Sequence, residues 1–178
     1  MEYKTLSNGV QMPILGYGVY QVTKDECERC VSDALRAGYR HIDTAQSYFN
    51  EEEVGNAIQK SGIPREELFL TTKVWVEHYG YDACRASVLE SMRKLKTDYI
   101  DIYQFHNPSF CPRPGGEDGL YDAALEAKKQ GKIRHISLSN HRLLVAHEAI
   151  DSGLYATLQF PFSYLAGAQE LELVQKCR

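Results

Sequence analysis

Six consecutive strand-then-helix segments constrain the fold of this chain more than any other feature of its sequence. Short segments rich in β-branched and aromatic residues alternate with segments whose apolar residues recur three or four positions apart, the spacing of one helix face. Such an alternation favours a parallel sheet, because each helix returns the chain to the starting end of the next strand. The predicted strands span residues 14–18, 41–45, 69–74, 99–105, 133–138 and 158–162.

The predicted helices follow these strands, and the first two have polar residues typical of helix starts. Thr23 and Glu26 have the spacing of a capping box, which predicts a helix from there to about Arg36. Asn50 and Glu53 mark the start of the second helix in the same way. The remaining helices are predicted over residues 86–95, 120–130, 143–151 and 170–178.

The even recurrence of these βα units favours an α/β fold of the (β/α)8 TIM-barrel type over a doubly wound sheet. Asn8-Gly9 is a strong type I′ turn signal, and it predicts an N-terminal β-hairpin that could plug the bottom of the barrel. A closed barrel needs eight units and typically about 250 residues. Only about six units are present, so residues 1–178 are expected to form a single, partial barrel domain that ends before the barrel closes.

The composition is that of an ordinary globular protein, with 43% hydrophobic and 25% charged residues. The mild net charge of -4 argues against nucleic acid or an anionic membrane as a partner. With neither a signal-peptide pattern nor a membrane-length apolar run, a cytoplasmic location is expected. Cys27 and Cys30 form a C-x-x-C inside a helical pattern and are interpreted as buried or half-buried thiols. The histidines lack zinc-ligand spacing, so no metal is expected.

Four polar side chains stand at or just past the ends of successive predicted strands. Asp43 and Tyr48 follow the second strand, Lys73 lies at the end of the third, and His106 follows the fourth. The carboxyl ends of the strands form the active-site face of a β/α barrel. Each residue taken singly is more typical of an ion pair or of packing, so their position at this face makes the four candidates for an active site.

These positions carry the motifs of a known family. The chain resembles the aldo-keto reductases, and the resemblance extends from about Asn8 to beyond Gln159. One motif alone is weak, whereas their joint presence in this order is highly specific. The motifs are Asp-Thr-Ala-x-x-Tyr at 43–48, Thr-Lys-x-Trp at 72–75, the strand-end His106, and Gly-Lys-Ile-Arg at 131–134 followed by Ser-Asn at 139–140.

The resemblance implies reduction of aldehydes and ketones to alcohols by hydride transfer from NADPH, with NADH as an open alternative. Tyr48 would act as the general acid, although a free phenol with a pKa near 10 is a weak one. Lys73 would lower that pKa, and Asp43 would hold Lys73 in its charged form. His106 would donate a hydrogen bond to the carbonyl oxygen and orient the substrate.

The cofactor site is also implied by the resemblance, since the chain has no G-x-G-x-x-G motif. Ser139, Asn140 and Gln159 match the positions that hold the nicotinamide carboxamide, and Asp43 is counted with the cofactor-binding residues. An alternative for Ser139-Asn140 is a cap on the helix that follows. The substrate pocket implied for a small carbonyl compound includes Tyr20, Trp75 and His106, the last of which also belongs to the catalytic group.

Two other functions are weighed against this one. An incomplete, catalytically inactive barrel fragment would self-associate through its open sheet edges or need a complementing segment, because unpaired edges favour association. A β/α-barrel enzyme of another class, such as an isomerase or a hydrolase, is the weaker alternative, since the sequence lacks metal-ligand spacing and a phosphate motif.

Overall fold

The computed structural model describes residues 2–6 and 9–177, beginning with a short hairpin. Strand β1 (Tyr3–Thr5) pairs antiparallel with β2 (Gln11–Pro13), which confirms the predicted N-terminal hairpin. The backbone N–H of Gly9, whose φ is +84°, donates to the Leu6 carbonyl. The predicted type I′ turn involves Asn8, which lies outside the described residues, so the turn type stays a prediction.

The main sheet has six parallel strands whose order in the sheet equals their order in the chain. The curl of the sheet is shown by Gln159 on the last strand, whose Nε2 lies 3.4 Å from Oδ2 of Asp43 on the second strand. The predicted α/β class and partial-barrel architecture are thereby confirmed. The strands are β3 (Gly16–Gly18), β4 (His41–Asp43), β5 (Phe69–Val74), β6 (Ile100–His106), β7 (Ile133–Ser139) and β8 (Leu158–Gln159).

A helix follows each strand and packs on the outside of the curled sheet. The third begins at Tyr81, five residues earlier than predicted, because its first turn is mostly exposed and lacks the apolar spacing used to find it. The last strand is shorter than predicted and ends at Gln159. The helices are α1 (Lys24–Arg36), α2 (Glu51–Ser61), α3 (Tyr81–Leu95), α4 (Leu120–Lys129), α5 (Leu143–Ser152) and α6 (Ala168–Lys176).

Neither predicted cap at the first two helix starts forms as expected. The hydroxyl of Thr23 donates to the Glu26 carboxylate over 3.3 Å, and neither Thr23 nor Asn50 caps its helix through a side-chain hydrogen bond. Asn50 is fully buried, and its amide donates to the carbonyls of Val19 and Val22. The cap prediction was wrong because the side-chain oxygen of Asn50, the atom that would cap the helix, accepts the hydroxyl of Thr44 over 2.9 Å, a contact that spacing along the chain cannot reveal.

The core lies between the sheet and its helices. All of β5 is buried, as is β6 except for its last residue, the pattern of parallel strands covered on both faces. Val31, Leu70 and Leu138 belong to one continuous apolar cluster that joins α1 to the sheet. Cys27 is buried within this cluster and Cys30 is half-buried, as predicted for these two thiols.

Gly55 marks the closest approach between α2 and α3. A Cβ at this position would lie 2.2 Å from the Lys94 carbonyl oxygen and 2.9 Å from Cα of Leu95. Alanine would gain about 1 kcal/mol of helix propensity. The backbone clash costs more, since overpacking of a rigid contact typically costs about 1–3 kcal/mol. We expect Gly55→Ala to lower the free energy of unfolding by about 1 kcal/mol net, measured by urea denaturation.

The matched control for this prediction is Gly18→Ala. A Cβ on Gly18 meets no atom within 4 Å, and its backbone does not need a positive φ. This variant should unfold at nearly the same urea concentration as the parent. If Gly55→Ala proved as stable as the parent, the close contact between α2 and α3 would be wrong.

Candidate active site

A cavity of about 600 Å³ opens at the carboxyl ends of the parallel strands. Seven of the nine residues predicted to form the site line it, namely Tyr20, Tyr48, Lys73, Trp75, His106, Ser139 and Gln159. Asp43 contacts Lys73 and so belongs to the site, whereas Asn140 does not line the cavity. The strand ends therefore bring together groups that are more than 100 residues apart in the chain.

Lys73 lies at the centre of the site, on β5, and is 1% exposed. Its ammonium donates to Oδ1 of Asp43 at 2.5 Å and to the carbonyl of Thr44 at 2.9 Å, and it lies 3.4 Å from the hydroxyl oxygen of Tyr48. Burial lowers the pKa of Lys73, and the Asp43 carboxylate opposes that effect. An ammonium withdrawn from water needs such a partner, so Asp43 holds the charge in place.

Tyr48 ends a 3-10 turn over Gln46–Tyr48, which points its phenol at Lys73. Burial raises the pKa of Tyr48 to about 12, and the charges of Asp43 and Tyr20 add to the increase. The pKa of Tyr48 is thus raised in this structure and not lowered as predicted, because desolvation of the phenol is the largest effect on it. The phenol consequently keeps its proton at neutral and mildly alkaline pH.

His106 ends β6 and packs edge-on against two aromatic rings. Its ring centroid lies 5.4 Å from that of Trp75 and 5.9 Å from that of Tyr48. Burial lowers the pKa of His106 to about 4, and the neighbouring charge of Lys73 contributes to the decrease. The imidazole is therefore neutral at pH 7 and carries one N–H that can be donated.

The depressed pKa of His106 predicts a loss of stability in acid. The ordinary value is 6.5, so the unfolded chain takes up this proton first as the pH falls. The contribution of the neutral ring to the free energy of unfolding is fully present above about pH 6.5, and it is lost as the pH falls towards about 4. We expect His106→Gln to show a shallower decrease over that range, measured by urea denaturation at several pH values. His147→Gln, on α5 and outside the cavity, is the control, and equal slopes for all three proteins would contradict the prediction.

The cofactor side of the site is formed by the ends of β7 and β8. Ser139 lies opposite both His106 and Gln159 in the strand register, and Ser139 and Gln159 line the cavity. Asn140 is fully buried, its amide donates to the Pro108 carbonyl, and its Oδ1 accepts the backbone N–H of Arg142. These contacts fix Asn140 in the turn before α5, whose N-cap residue is Arg142, and its role as a cofactor contact stays a prediction.

Sequence reasoning missed two residues between Asp43 and Tyr48. Oε1 of Gln46 accepts the backbone N–H of Trp75 over 3.0 Å, while its Nε2 donates to Ser91 and to the backbone of α3. Ser47 lines the cavity beside His106. Both occupy the unspecified positions of the Asp-Thr-Ala-x-x-Tyr motif. The sequence signal for these two residues was that two adjacent polar side chains directly precede Tyr48.

No group of three or more His, Cys, Asp or Glu side chains within residues 2–6 and 9–177 is placed to hold a metal ion. The same ranges contain no helix that is both long and apolar enough to span a membrane.

The curled parallel sheet and the Lys73-centred cluster at its carboxyl edge together define a protein of the β/α-barrel type. The chain belongs to the aldo/keto reductase family, whose family model matches residues 12–178. This match confirms the resemblance found in the sequence.

Curated relatives carry related names. The methylglyoxal reductase DkgB of Salmonella typhi is 43% identical over 139 residues, which are 78% of this chain and 52% of the relative. The glyoxal reductase of Bacillus subtilis (strain 168) is 45% identical over 142 residues, 78% of this chain and 49% of that protein. The chain therefore spans about half the length of the curated relatives it matches.

Solved structures agree with the family assignment. An aldo/keto reductase from Brucella melitensis superposes with a TM-score of 0.85 at 39% identity, covering 97% of this chain and 67% of that one. An aldo-keto reductase of Bombyx mori in complex with NADP gives a TM-score of 0.84 at 31% identity, covering 98% of this chain and 62% of that one. The likeness in fold thus extends over nearly the whole chain.

Proposed function

We propose that residues 1–178 form a single β/α-barrel domain that reduces aldehydes and ketones to alcohols with NADPH. The observation that supports this most directly is the contact of the Lys73 ammonium with both the Asp43 carboxylate and the Tyr48 hydroxyl. The complex of the Bombyx mori relative with NADP supports the cofactor. The names of the Salmonella and Bacillus relatives support small aldehydes such as methylglyoxal and glyoxal as substrates.

Tyr48 is the proton donor in this proposal. Bound NADPH supplies a hydride to the carbonyl carbon, and the carbonyl oxygen then gains negative charge. Although the pKa of the phenol is raised to about 12, the alkoxide that forms is a stronger base and takes the proton. The phenolate that remains lies beside the Lys73 ammonium, which stabilises it at the moment when it forms.

The residues of the cavity fit a nicotinamide carboxamide in their hydrogen-bonding chemistry. A carboxamide both donates and accepts hydrogen bonds, and so do the hydroxyl of Ser139 and the amide of Gln159. Asp43 accepts from Lys73 and lies within reach of Gln159, so it links the proton-donor side to the cofactor side. These residues are the proposed cofactor contacts, and Asn140 contributes by holding the turn behind them.

The substrate would bind among the aromatic side chains at the mouth of the cavity. Tyr20 is 66% exposed, and its ring lies 5.1 Å from that of Tyr48, while Trp75 packs against His106. These rings offer an apolar surface next to the proton donor, which suits a small carbonyl compound. The neutral His106 would bind the carbonyl oxygen and orient it towards Tyr48.

The proposal is tested by following NADPH oxidation by the purified chain in the presence of methylglyoxal, glyoxal and simple ketones. Turnover that depends on both the carbonyl compound and the chain would support it. A folded chain that binds NADPH but oxidises none would contradict it.

A second candidate function is self-association, which the sheet edges favour. Within the described residues β3 and β8 each pair with one strand only. Close to β8, Tyr164 and Leu165 are 94% and 78% exposed, and exposed apolar groups beside an unpaired edge promote association. Sedimentation over a range of concentrations distinguishes the candidates. A mass that rises with concentration, without turnover, would favour association of copies or the need for a complementing segment.

A further inference from the structure

The imidazole of His106 has two chemically distinct nitrogens, and the structure assigns them different surroundings. Nδ1 lies 3.3 Å from the hydroxyl oxygen of Ser47. Nε2 has no hydrogen-bond partner among residues 2–6 and 9–177, and His106 lines the cavity. Nε2 is therefore the nitrogen available to a bound molecule, whereas Nδ1 is engaged by the protein.

The ring carries one proton at neutral pH, because burial lowers the pKa of His106 to about 4. A neutral imidazole has one N–H donor and one bare nitrogen acceptor, and the partner of one nitrogen determines which form is present. A serine hydroxyl can donate or accept. If the Ser47 hydroxyl donates to Nδ1, the single ring proton is on Nε2, which can then donate to a carbonyl oxygen. If the hydroxyl instead accepts from Nδ1, Nε2 has no proton and cannot form a hydrogen bond with a carbonyl oxygen.

The hydroxyl of Ser47 is held in place by its neighbours on the turn. Gln46 ties this turn to α3 through Ser91 and to the strand-end loop through the backbone N–H of Trp75, each over 3.0 Å. Tyr48, on the other side, is in contact with Lys73. Ser47 is thus fixed between two anchored residues, so the position of its hydroxyl is set by the fold.

We infer that Ser47 is a positioning residue that donates its hydroxyl hydrogen to Nδ1 of His106 and so keeps the proton on Nε2, facing the substrate. The inference rests on the proposed function and deepens it, because it specifies how His106 is prepared to bind a carbonyl oxygen. Ser47 does not touch the reacting atoms in this arrangement. It acts through His106 by selecting one of two tautomers before the substrate arrives.

The test reads the tautomer directly. Long-range proton–nitrogen correlation spectra of the chain labelled with 15N in its histidine rings distinguish Nε2–H from Nδ1–H, and His106→Asn assigns the signals. The parent should show the Nε2–H form at pH 7. Ser47→Ala should lose the preference and show mixed tautomers, while Ser47→Thr, which keeps the hydroxyl, should restore the parent pattern.

Kinetics supply a second readout. Ser47→Ala should lower kcat/KM by about tenfold, the effect of one neutral hydrogen bond, and Ser47→Thr should recover most of it. The acidic limb of the pH profile should move upwards in Ser47→Ala, because the neutral ring loses the hydrogen bond that favours it. An Nδ1–H parent, or a Ser47→Ala spectrum identical to that of the parent, would overturn the inference. The spectra need no turnover, so an absence of carbonyl reduction would contradict only the proposed function.

Discussion

Replacing Tyr48 by phenylalanine is expected to lower the turnover number for carbonyl reduction by about a thousandfold, the contribution of a well-placed general acid. The substitution removes one hydroxyl and leaves the ring that packs against His106 and Tyr20. Without that hydroxyl, no group within residues 2–6 and 9–177 combines a transferable proton with a contact to the Lys73 ammonium. Stopped-flow and steady-state NADPH oxidation would measure the loss.

Binding of NADPH should survive this change, because the proposed cofactor contacts lie on β4, β7 and β8. Titration of cofactor fluorescence would show a similar dissociation constant for the parent and for Tyr48→Phe. Tyr17→Phe is the matched control, since it removes a phenolic hydroxyl from β3 at a residue that does not line the cavity. If Tyr48→Phe kept activity within a few-fold of the parent, Tyr48 could not be the proton donor.

The second large effect is expected on stability. Asp101 on β6 is 1% exposed, and its carboxylate accepts from Arg65 at 2.7 Å, from the Leu70 backbone N–H at 2.9 Å and from Arg134 at 2.9 Å. Both guanidinium groups also lie over the ring of Tyr99, 3.9 and 3.8 Å from its centroid. The cluster joins the loop before β5 to β6 and β7.

Asp101→Ala should lower the free energy of unfolding by about 3 kcal/mol, since it leaves a buried N–H without its acceptor and two guanidinium groups without their carboxylate partner. That is a large share of the roughly 5–15 kcal/mol typical of a domain. Urea denaturation at pH 7 would measure it. Glu90→Ala is the control, because Glu90 pairs with Arg93 on the exposed surface of α3, where ion pairs contribute little. Similar losses for the two variants would show that the buried cluster is not a stabilising element.

The sequence was sufficient to predict the strand order and the meeting of the four central side chains. Both follow from local patterns, because alternating βα units place successive strands side by side and put the residues that follow them at one edge. Asp43, Lys73 and His106 could therefore be brought together without knowledge of any distance. The family motifs also indicated the cavity-lining positions of Ser139 and Gln159.

The features that escaped prediction depend on what surrounds a residue in space. The pKa of Tyr48 is raised where a lowered value was predicted, because the phenol is withdrawn from water and lies near the Asp43 carboxylate. Asn50 has the sequence spacing of a helix cap, but its side-chain oxygen accepts the hydroxyl of Thr44 instead of a helix N–H. Both differences come from a competing hydrogen bond or from desolvation, neither of which a linear sequence pattern contains.

The agreement between strand order in the chain and strand order in the sheet has a consequence for how such a protein can change during evolution. The proposed proton-transfer group from Asp43 to His106 lies within three adjacent strands, and the residues on β7 and β8 follow later in the chain. The connection from Asn107 to Gly119 joins β6 to α4 without supplying Tyr48, Lys73 or His106. Under the proposed function, substitutions and insertions in that connection would therefore alter which carbonyl compounds bind and leave the proposed catalytic side chains unchanged.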